Sequence, residues 1–574
     1  MQKNYKNLIY DLIKSAPQSE ADILVLKRKF AKKNKTPLAT NSELLSLYRK
    51  MLKSKIIAGN KTLVQLLRKR QIRTLSGVAP IAVLTKPYKC PGKCLYCPTE
   101  KNMPKSYLSN EPAVMRAKFC DFNPFKQVAL RIKALEANGH ETDKLELIIM
   151  GGTWDFLPEK YKLWFVYACF RAANNPEIKF KSQNSKVKTE TQNSKVNKIE
   201  INNKVNLKDV NKVTWQDLYH EQKKNEKAKH RIVGLTLETR PDFVTEKSAW
   251  QMRELGCTRV ELGVQQIDDQ ILKLNKRGCL TLDAIRATKI LRELGFKITY
   301  HLMLNLSGSN YQKDYTMFKK IFSDSDFQPD QIKIYPCVVN EHAELYDWWK
   351  AGKYKPYSTK KLTELLVKIK KIVPYYVRII RVIRDIPKES IAAGNKVTNL
   401  RDLLNVQCKC IRCREVGHVE KFLISNDKCL KNNNKKQIKL FIQKYKAGEG
   451  TEYFLSFESA DRKILYAFCR LRLPKIIPSF SRRGEPINSG SGWLINIPII
   501  RELHTYGQLV PISVNIKSAS QHRGLGKKLL GQAEKIARQK SFDKLAVIAG
   551  IGVRKYYKKV GYKIENTYMV KEIK

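Results

Sequence analysis

The chain has 574 residues, 109 Lys+Arg against 53 Asp+Glu and a formal net charge of +56. At roughly 100–200 residues per domain it holds several domains, and 43% hydrophobic residues supply enough apolar surface for globular cores. Such a positive excess is costly self-repulsion unless a polyanion neutralises it, so nucleic acid leads the partner classes and an anionic membrane surface follows. An AT-rich genome, which favours Lys and Asn codons, is the competing source of that excess. No window of about twenty uninterrupted apolar residues occurs, which argues against a transmembrane span. The first residues lack the apolar core of a signal peptide. Thirteen cysteines, many closely spaced, then read as metal ligands in a reducing compartment rather than disulfides, and the cytoplasm is the expected location.

Residues 1–75 read as a basic helical segment. YKNLIYDLIKSA and NSELLSLYRKMLKSK carry apolar residues at three- and four-residue steps. The segment ends in a run containing Arg68, Lys69, Arg70 and Arg73, expected to touch phosphates if it is not merely a solvated helix face. From 76 to 404, six short apolar runs (IAVLTKP, LELIIMGGT, RIVGLTLETRP, RVELGVQ, KITYHLML and QIKIYP) alternate with helical stretches that end in Gly. Repeated β–α units predict a parallel sheet closed into an incomplete (β/α)6 barrel, with its site at the C-terminal strand ends. Residues 179–212, rich in Asn and Lys with QNSKV twice, read as a poorly ordered insertion without chemistry. NVQCKCIRC at 405–413 is a cysteine-rich joint. From 414 to 574 the pattern becomes strands with one strong amphipathic helix, GLGKKLLGQAEKIARQ, a second α/β domain.

Cys90, Cys94 and Cys97 form CxxxCxxC on a loop after the first strand. Three thiolates this close can hold three irons of a [4Fe-4S] cluster and leave the fourth open for the amino and carboxylate groups of S-adenosylmethionine. A structural zinc site lacking one ligand is the alternative. Tyr96 before the last cysteine also matches the pattern of radical-SAM enzymes, which this segment resembles. Gly151 and Gly152 end the second strand, where bare backbone can approach the methionine amino group. In the C-terminal part, Gln521, His522, Arg523, Gly524, Leu525 and Gly526 open a helix and resemble the [RQ]xxGxG/A loop of GNAT acetyltransferases. There, successive N–H groups and the helix N-terminus grip a pyrophosphate. Tyr556 and Tyr557 follow the next strand; one could serve the CoA thiolate and the other pack the core. Cys408, Cys410 and Cys413, spaced CxCxxC, suit tetrahedral zinc, with His418, Cys429 or a distant residue as fourth ligand; another iron–sulfur cluster or free thiols are the alternatives.

Together with RTLSGVAPIAVLTKP, EPAVMRAK, ELIIMGGTWDFLPEKY, FQPDQIKIYP, REVGH, RELHTYG and GVRKYYKKVGY, these residues resemble the catalytic subunit of Elongator and its stand-alone bacterial and archaeal relatives. The resemblance covers nearly the whole chain. It implies a tRNA-modifying enzyme that forms a carboxymethyl-type group at C5 of the wobble uridine. In that scheme a deoxyadenosyl radical takes hydrogen from the methyl of acetyl-CoA, the carbon radical adds to uridine C5, and thioester hydrolysis follows. The resemblance also implies Cys90, Cys94 and Cys97 as cluster ligands. It makes Lys144 a contact to acetyl-CoA from the first domain, with Glu502, Leu503, His504, Thr505, Gln521 to Gly524 and Tyr557 as the other CoA contacts; Tyr557 and Lys144 are the catalytic candidates. The expected partner is the anticodon stem-loop of tRNA, with no membrane; a homodimer and accessory Elongator-like subunits are left open. Two departures stand out: LNLSGS where relatives carry a proline-containing loop, and KRGC, with Cys279 where relatives have His. A protein lysine acetyltransferase and a non-catalytic tRNA-binding scaffold are the competing readings.

Overall fold

The computed structural model describes residues 5–69, 74, 76–181, 198–201, 207–397, 399–404, 406–419, 437–475, 497–506 and 524–574. Four N-terminal helices, Tyr5–Lys14, Glu20–Asn34, Asn41–Lys53 and Lys61–Leu67, bury Leu8, Leu12, Ile23, Leu44, Leu45 and Leu63 in a small core of their own. Ser19 and Thr40 start two of them with reciprocal caps, satisfying N–H groups that a helix start leaves unpaired. The bundle docks through Arg68, whose Nε donates to the Gly139 carbonyl at 2.8 Å. Arg68, partly buried, thus gives one of its donors to the contact between bundle and barrel. Lys69 is exposed, and Arg70 and Arg73 lie outside the described residues.

The first large domain is an all-parallel sheet of seven strands: β1 (Ala79–Leu84), β2 (Lys144–Met150), β5 (Arg231–Thr239), β6 (Arg259–Gln265), β7 (Lys297–Leu304), β8 (Gln331–Pro336) and β9 (Arg378–Arg381), in that spatial order. Six are the runs read from the sequence. The seventh, RIIR, extends the half-barrel by one strand. β3 (Ile178–Lys181) and β4 (Lys198–Ile201) form an antiparallel ribbon at the base of the insertion, so its ends are paired where the sequence suggested only poor order.

The second domain is a seven-stranded mixed sheet. It is built from β10 (Ile438–Ala447), β11 (Gly450–Ser459), β12 (Leu465–Leu473), β13 (Ile499–Thr505), β14 (Lys544–Val547), β15 (Lys563–Glu565) and β16 (Tyr568–Glu572), in the order β10-β11-β12-β13-β14-β16-β15. The helix Leu525–Gln539 buries Leu529, Leu530, Ala533 and Ile536 against this sheet. β13 and β14, its only parallel neighbours among the described residues, pair at just Ile499↔Ala546 and Ile500↔Val547 and then part. That order, with its splayed parallel pair, is the GNAT fold.

The two domains share one core: Phe468, Tyr506, Ile551 and Tyr568 pack into the same apolar body as the barrel helices. Two glycines permit the contact. A Cβ on Gly550 would stand 2.1 Å from the Val233 carbonyl oxygen, and one on Gly552 would stand 2.6 Å from the Arg231 Cβ. Neither position can carry a side chain without moving β5. Among the described residues no helix is long and apolar enough to cross a membrane.

Candidate active site

At the C-terminal ends of the barrel strands, the loop after β1 carries Cys90, Cys94 and Cys97, all partly exposed. Thr153, beyond β2, brings its Oγ1 to 3.8 Å from the Cys90 sulfur, and Arg277 donates to the Cys94 sulfur at 3.7 Å. Burial pushes the Cys97 thiol up to about 12, opposed by the nearby cations Arg384 and Lys105. Cations around three thiols suit the negative charge that thiolates bring to an iron–sulfur cluster. Gly151 and Gly152 have φ of +139° and +100°. A Cβ on Gly151 would sit 1.9 Å from Thr85 Oγ1, so only glycine fits there. Around this cradle, Thr85 Oγ1, Arg240 Nη1 and Gln265 Oε1 are buried without hydrogen-bond partners. Gln265, which closes β6, also holds a left-handed φ of +67°. Buried unpaired polar atoms cost free energy unless a ligand completes them, and their convergence beside the three cysteines fits a polar ligand such as S-adenosylmethionine. Sequence reading missed these three: none stands in a local motif, and only the folded strand ends bring them together.

Lys144 opens β2 at the other end of the strand. Seven residues at about 3.3 Å each place it roughly 20 Å from Gly151. Its partner in register is Arg231, against which Gly552 of the second domain packs. Burial lowers the Lys144 pKa. Lys144 thus lies at the end of the barrel that meets the second domain.

Between the two ends the concave face is polar. Arg259 on β6 reaches Glu146 on β2 at 2.7 Å and Gln331 on β8 at 3.3 Å, strands two places away on either side. Above it Glu261, 1% exposed, takes hydrogen bonds from Lys333 and from His301 Nε2 at 3.0 Å. Burial would raise the Glu261 pKa, but Lys333, His301 and Arg259 hold it well below the usual carboxylate range. His301 Nδ1 stands 3.5 Å from Glu238, which accepts from the Tyr107 hydroxyl at 3.0 Å. Barrel interiors are ordinarily filled with branched apolar side chains, and buried charge is retained chiefly where it has a task.

In the second domain, the splay of β13 from β14 leaves Glu502–Thr505 without a pairing to β14. Backbone groups along this edge can hydrogen-bond to an extended ligand arm. Gly524, at φ +73°, opens the helix Leu525–Gln539 with no side-chain cap, so N–H groups of its first turn are available to a phosphate. Gln521, His522 and Arg523 lie outside the described residues. A Cβ placed on Gly526 would meet Thr505 Oγ1 at 3.4 Å and the Tyr556 hydroxyl at 3.5 Å, so these three residues converge. Leu503 packs against the domain core. His504 donates through Nε2 to the Ser76 carbonyl at 2.8 Å, and burial lowers its pKa. Burial would raise the Glu502 pKa, but Lys297 and Arg470 hold it at about 2. Tyr557, 6% exposed, lies edge-on to Tyr556 and Tyr562, and burial raises its pKa, so it stays a neutral phenol.

At the joint, the sulfurs of Cys408, Cys410 and Cys413 lie within 4.8 Å of one another. His418 turns its Nε2 to Glu415 at 2.9 Å, and Cys429 lies outside the described residues.

The half-barrel with its cysteine loop, joined to a splayed α/β sheet, defines a radical-SAM enzyme fused to a GNAT domain. Residues 208–320 match the Radical SAM superfamily, and residues 329–411 match the radical SAM C-terminal domain. The chain is 41% identical to the tRNA uridine(34) acetyltransferase of Methanocaldococcus infernus, over 93% of this chain and 94% of that one. It is 40% identical to that of Dehalococcoides mccartyi over 88% and 100%, and 33% identical to human Elongator complex protein 3 over 90% and 87%. The solved structure of Methanocaldococcus infernus Elp3 lacking residues 1–46 superposes with a TM-score of 0.67 at 38% identity, covering 87% of this chain and 100% of that one. The chain belongs to the family of tRNA uridine(34) acetyltransferases and Elongator complex protein 3.

Proposed function

We propose that this chain modifies tRNA, building a carboxymethyl-type group at C5 of the wobble uridine from acetyl-CoA. The observation that carries this reading is the polar barrel interior, Glu146 through Glu238. It runs between a cysteine loop suited to radical chemistry and a splayed sheet suited to CoA. Two separate enzymes would need no such connection, whereas one reaction drawing on both ends does. The named activity of the relatives supports the same substrate.

When bound, the cluster and S-adenosylmethionine supply a hydrogen-abstracting carbon radical, and acetyl-CoA supplies the two-carbon unit. Cys90, Cys94 and Cys97 hold the cluster, and Arg277 steadies the Cys94 sulfur. Gly151, Gly152, Thr85, Arg240 and Gln265 cradle S-adenosylmethionine. Glu502–Thr505 and Gly524–Gly526 hold acetyl-CoA, with Lys144 reaching it from the barrel. Tyr557 keeps its proton and can donate it to sulfur. His301 and Glu238 can accept the proton that uridine C5 must lose, the electron that must leave with it passing to the cluster when bound; Glu261, paired with Lys333 and His301, holds the imidazole in place. A wobble base lies in a single-stranded loop, where unstacking it is inexpensive.

Anaerobic reconstitution with tRNA, S-adenosylmethionine, a reductant and acetyl-CoA is expected to yield 5′-deoxyadenosine and a carboxymethyl-type uridine by nucleoside mass spectrometry. Absence of both products under conditions that rebuild the cluster sinks the reading.

Three thiols within reach of one ion, at a joint between domains, suit tetrahedral zinc. About one zinc per chain is expected to survive removal of the iron. A Cys408→Ser/Cys410→Ser/Cys413→Ser variant that keeps its zinc in elemental analysis removes the assignment.

A further inference from the structure

Three aromatic rings crowd the barrel mouth. Tyr88, on the loop after β1, is 42% exposed, and Phe156, on the loop after β2, is 38% exposed. Their ring centroids are 6.2 Å apart, and Phe156 stands 5.6 Å from Phe243, on the loop after β5, in edge-on packing. Single exposed apolar side chains are ordinary. Two exposed rings from separate loops, in contact with each other and backed by the half-buried Phe243 of a third, are not, because each ring would be better buried elsewhere.

The place is as informative as the rings. Tyr88 precedes Cys90 by two residues. Phe156 follows Thr153, whose hydroxyl lies 3.8 Å from the Cys90 sulfur. Phe243 follows Arg240, against whose guanidinium Gly92 packs so closely that a Cβ there would stand 2.3 Å from Nη1. The platform is thus built on the same loops that hold the cysteines. Its surroundings are basic: Lys86, Lys89, Lys93 and Lys160 are all exposed. Of the acids beside them, Glu159 is exposed and accepts from Gln251 at 3.2 Å, while two on these loops are engaged within the protein. Asp155 accepts from Thr239 at 2.8 Å, and Asp242 is paired with Arg240 at 2.8 Å.

We infer that Tyr88 and Phe156 form a stacking platform for a single-stranded RNA base that neighbours the reacting base. Rings give a face on which any base can stack, and the lysines attract the backbone; this pairing is how proteins hold single strands without reading their sequence. The platform holds the loop open beside the barrel mouth, so that the adjacent base can leave the stack. The inference rests on the tRNA reading above and adds to it the part of the surface that grips the loop.

The test uses the full chain with its cluster and a fluorescent anticodon stem-loop RNA. Y88A/F156A is expected to weaken binding on the order of ten-fold for each stacked base lost. KM for tRNA should rise in step, while 5′-deoxyadenosine formation without RNA stays at the wild-type rate. The slope of affinity against salt should not change, since no phosphate contact is removed. Y88F should bind as wild type and Y88L should not, because leucine keeps apolar area but has no π-face. An abasic nucleotide beside the target should weaken the wild type and leave Y88A/F156A unaffected. Y88A/F156A with wild-type affinity and KM overturns the platform while leaving the proposed activity standing. Wild-type enzyme that binds no stem-loop overturns the tRNA reading beneath it.

Discussion

Cys94→Ser is expected to abolish 5′-deoxyadenosine formation and uridine modification together while leaving the second domain able to bind CoA. Outer partners of metal ligands are worth about 10–100-fold each, so loss of one of three direct ligands should cost on the order of 100-fold or more. Cys94 is also the sulfur to which Arg277 donates, and the cation would face a hydroxyl in its place. The fold should survive. Cys94 sits on a loop, partly exposed, outside the apolar bodies that close the two domains. Iron content, the visible absorbance of the reconstituted protein and a thermal shift with CoA separate the three consequences. Full uridine modification by the iron-free variant would remove the radical domain from the reaction. Acetyl transfer to protein lysines that persists in Cys94→Ser, with no dependence on tRNA, would favour a lysine acetyltransferase instead.

What the sequence disclosed and what it concealed follow the same physical division. CxxxCxxC, the double glycine and the GxG before an amphipathic helix are local: few chain conformations satisfy such spacing, so the residues announce their chemistry. The six strand runs are likewise local, since each is short, apolar and closed by a turn signal. β9 was missed because RIIR is only four residues long and keeps two arginines. It becomes a strand by pairing with β8, not by its own pattern. The polar barrel interior was hidden for a related reason. In RVELGVQ, Arg259, Glu261 and Gln265 recur at even spacing, a pattern that also fits a strand with one face in water. Only the pairing of Arg259 with Glu146 and Gln331 shows that this face is turned inward. The roles of Gly550 and Gly552 were equally out of reach. A glycine in a strand-ending turn looks ordinary until another domain's backbone lies where its side chain would be.

The joint between the domains yields the second large effect. Asp330, fully buried, receives Arg501 Nη1 at 2.9 Å, lies 3.3 Å from Arg470 Nη1, and accepts from the Ile298 backbone N–H at 2.9 Å. Arg470 continues to Glu502 at 3.0 Å and to the Tyr376 carbonyl at 2.7 Å. One barrel carboxylate thus anchors two arginines of the second sheet: Arg501 lies on β13 itself, and Arg470, on β12, reaches Glu502 of β13. Asp330→Ala leaves two buried guanidinium groups short of counter-charge, an imbalance that costs about 3–5 kcal/mol when a buried pair is broken. Calorimetry should show the single unfolding transition falling steeply or splitting as the domains uncouple. Coupled product formation should then fall further than 5′-deoxyadenosine formation, because the cysteine loop lies at the far end of the barrel. Replacing the charges as a set, Asp330→Leu with Arg470→Met and Arg501→Met, should recover much of the stability, since well-packed apolar groups can substitute for a buried ion network. It should not recover coupling if Glu502, freed from Arg470, no longer holds β13 in place. Full activity in that apolar variant would reduce the network to a matter of stability alone.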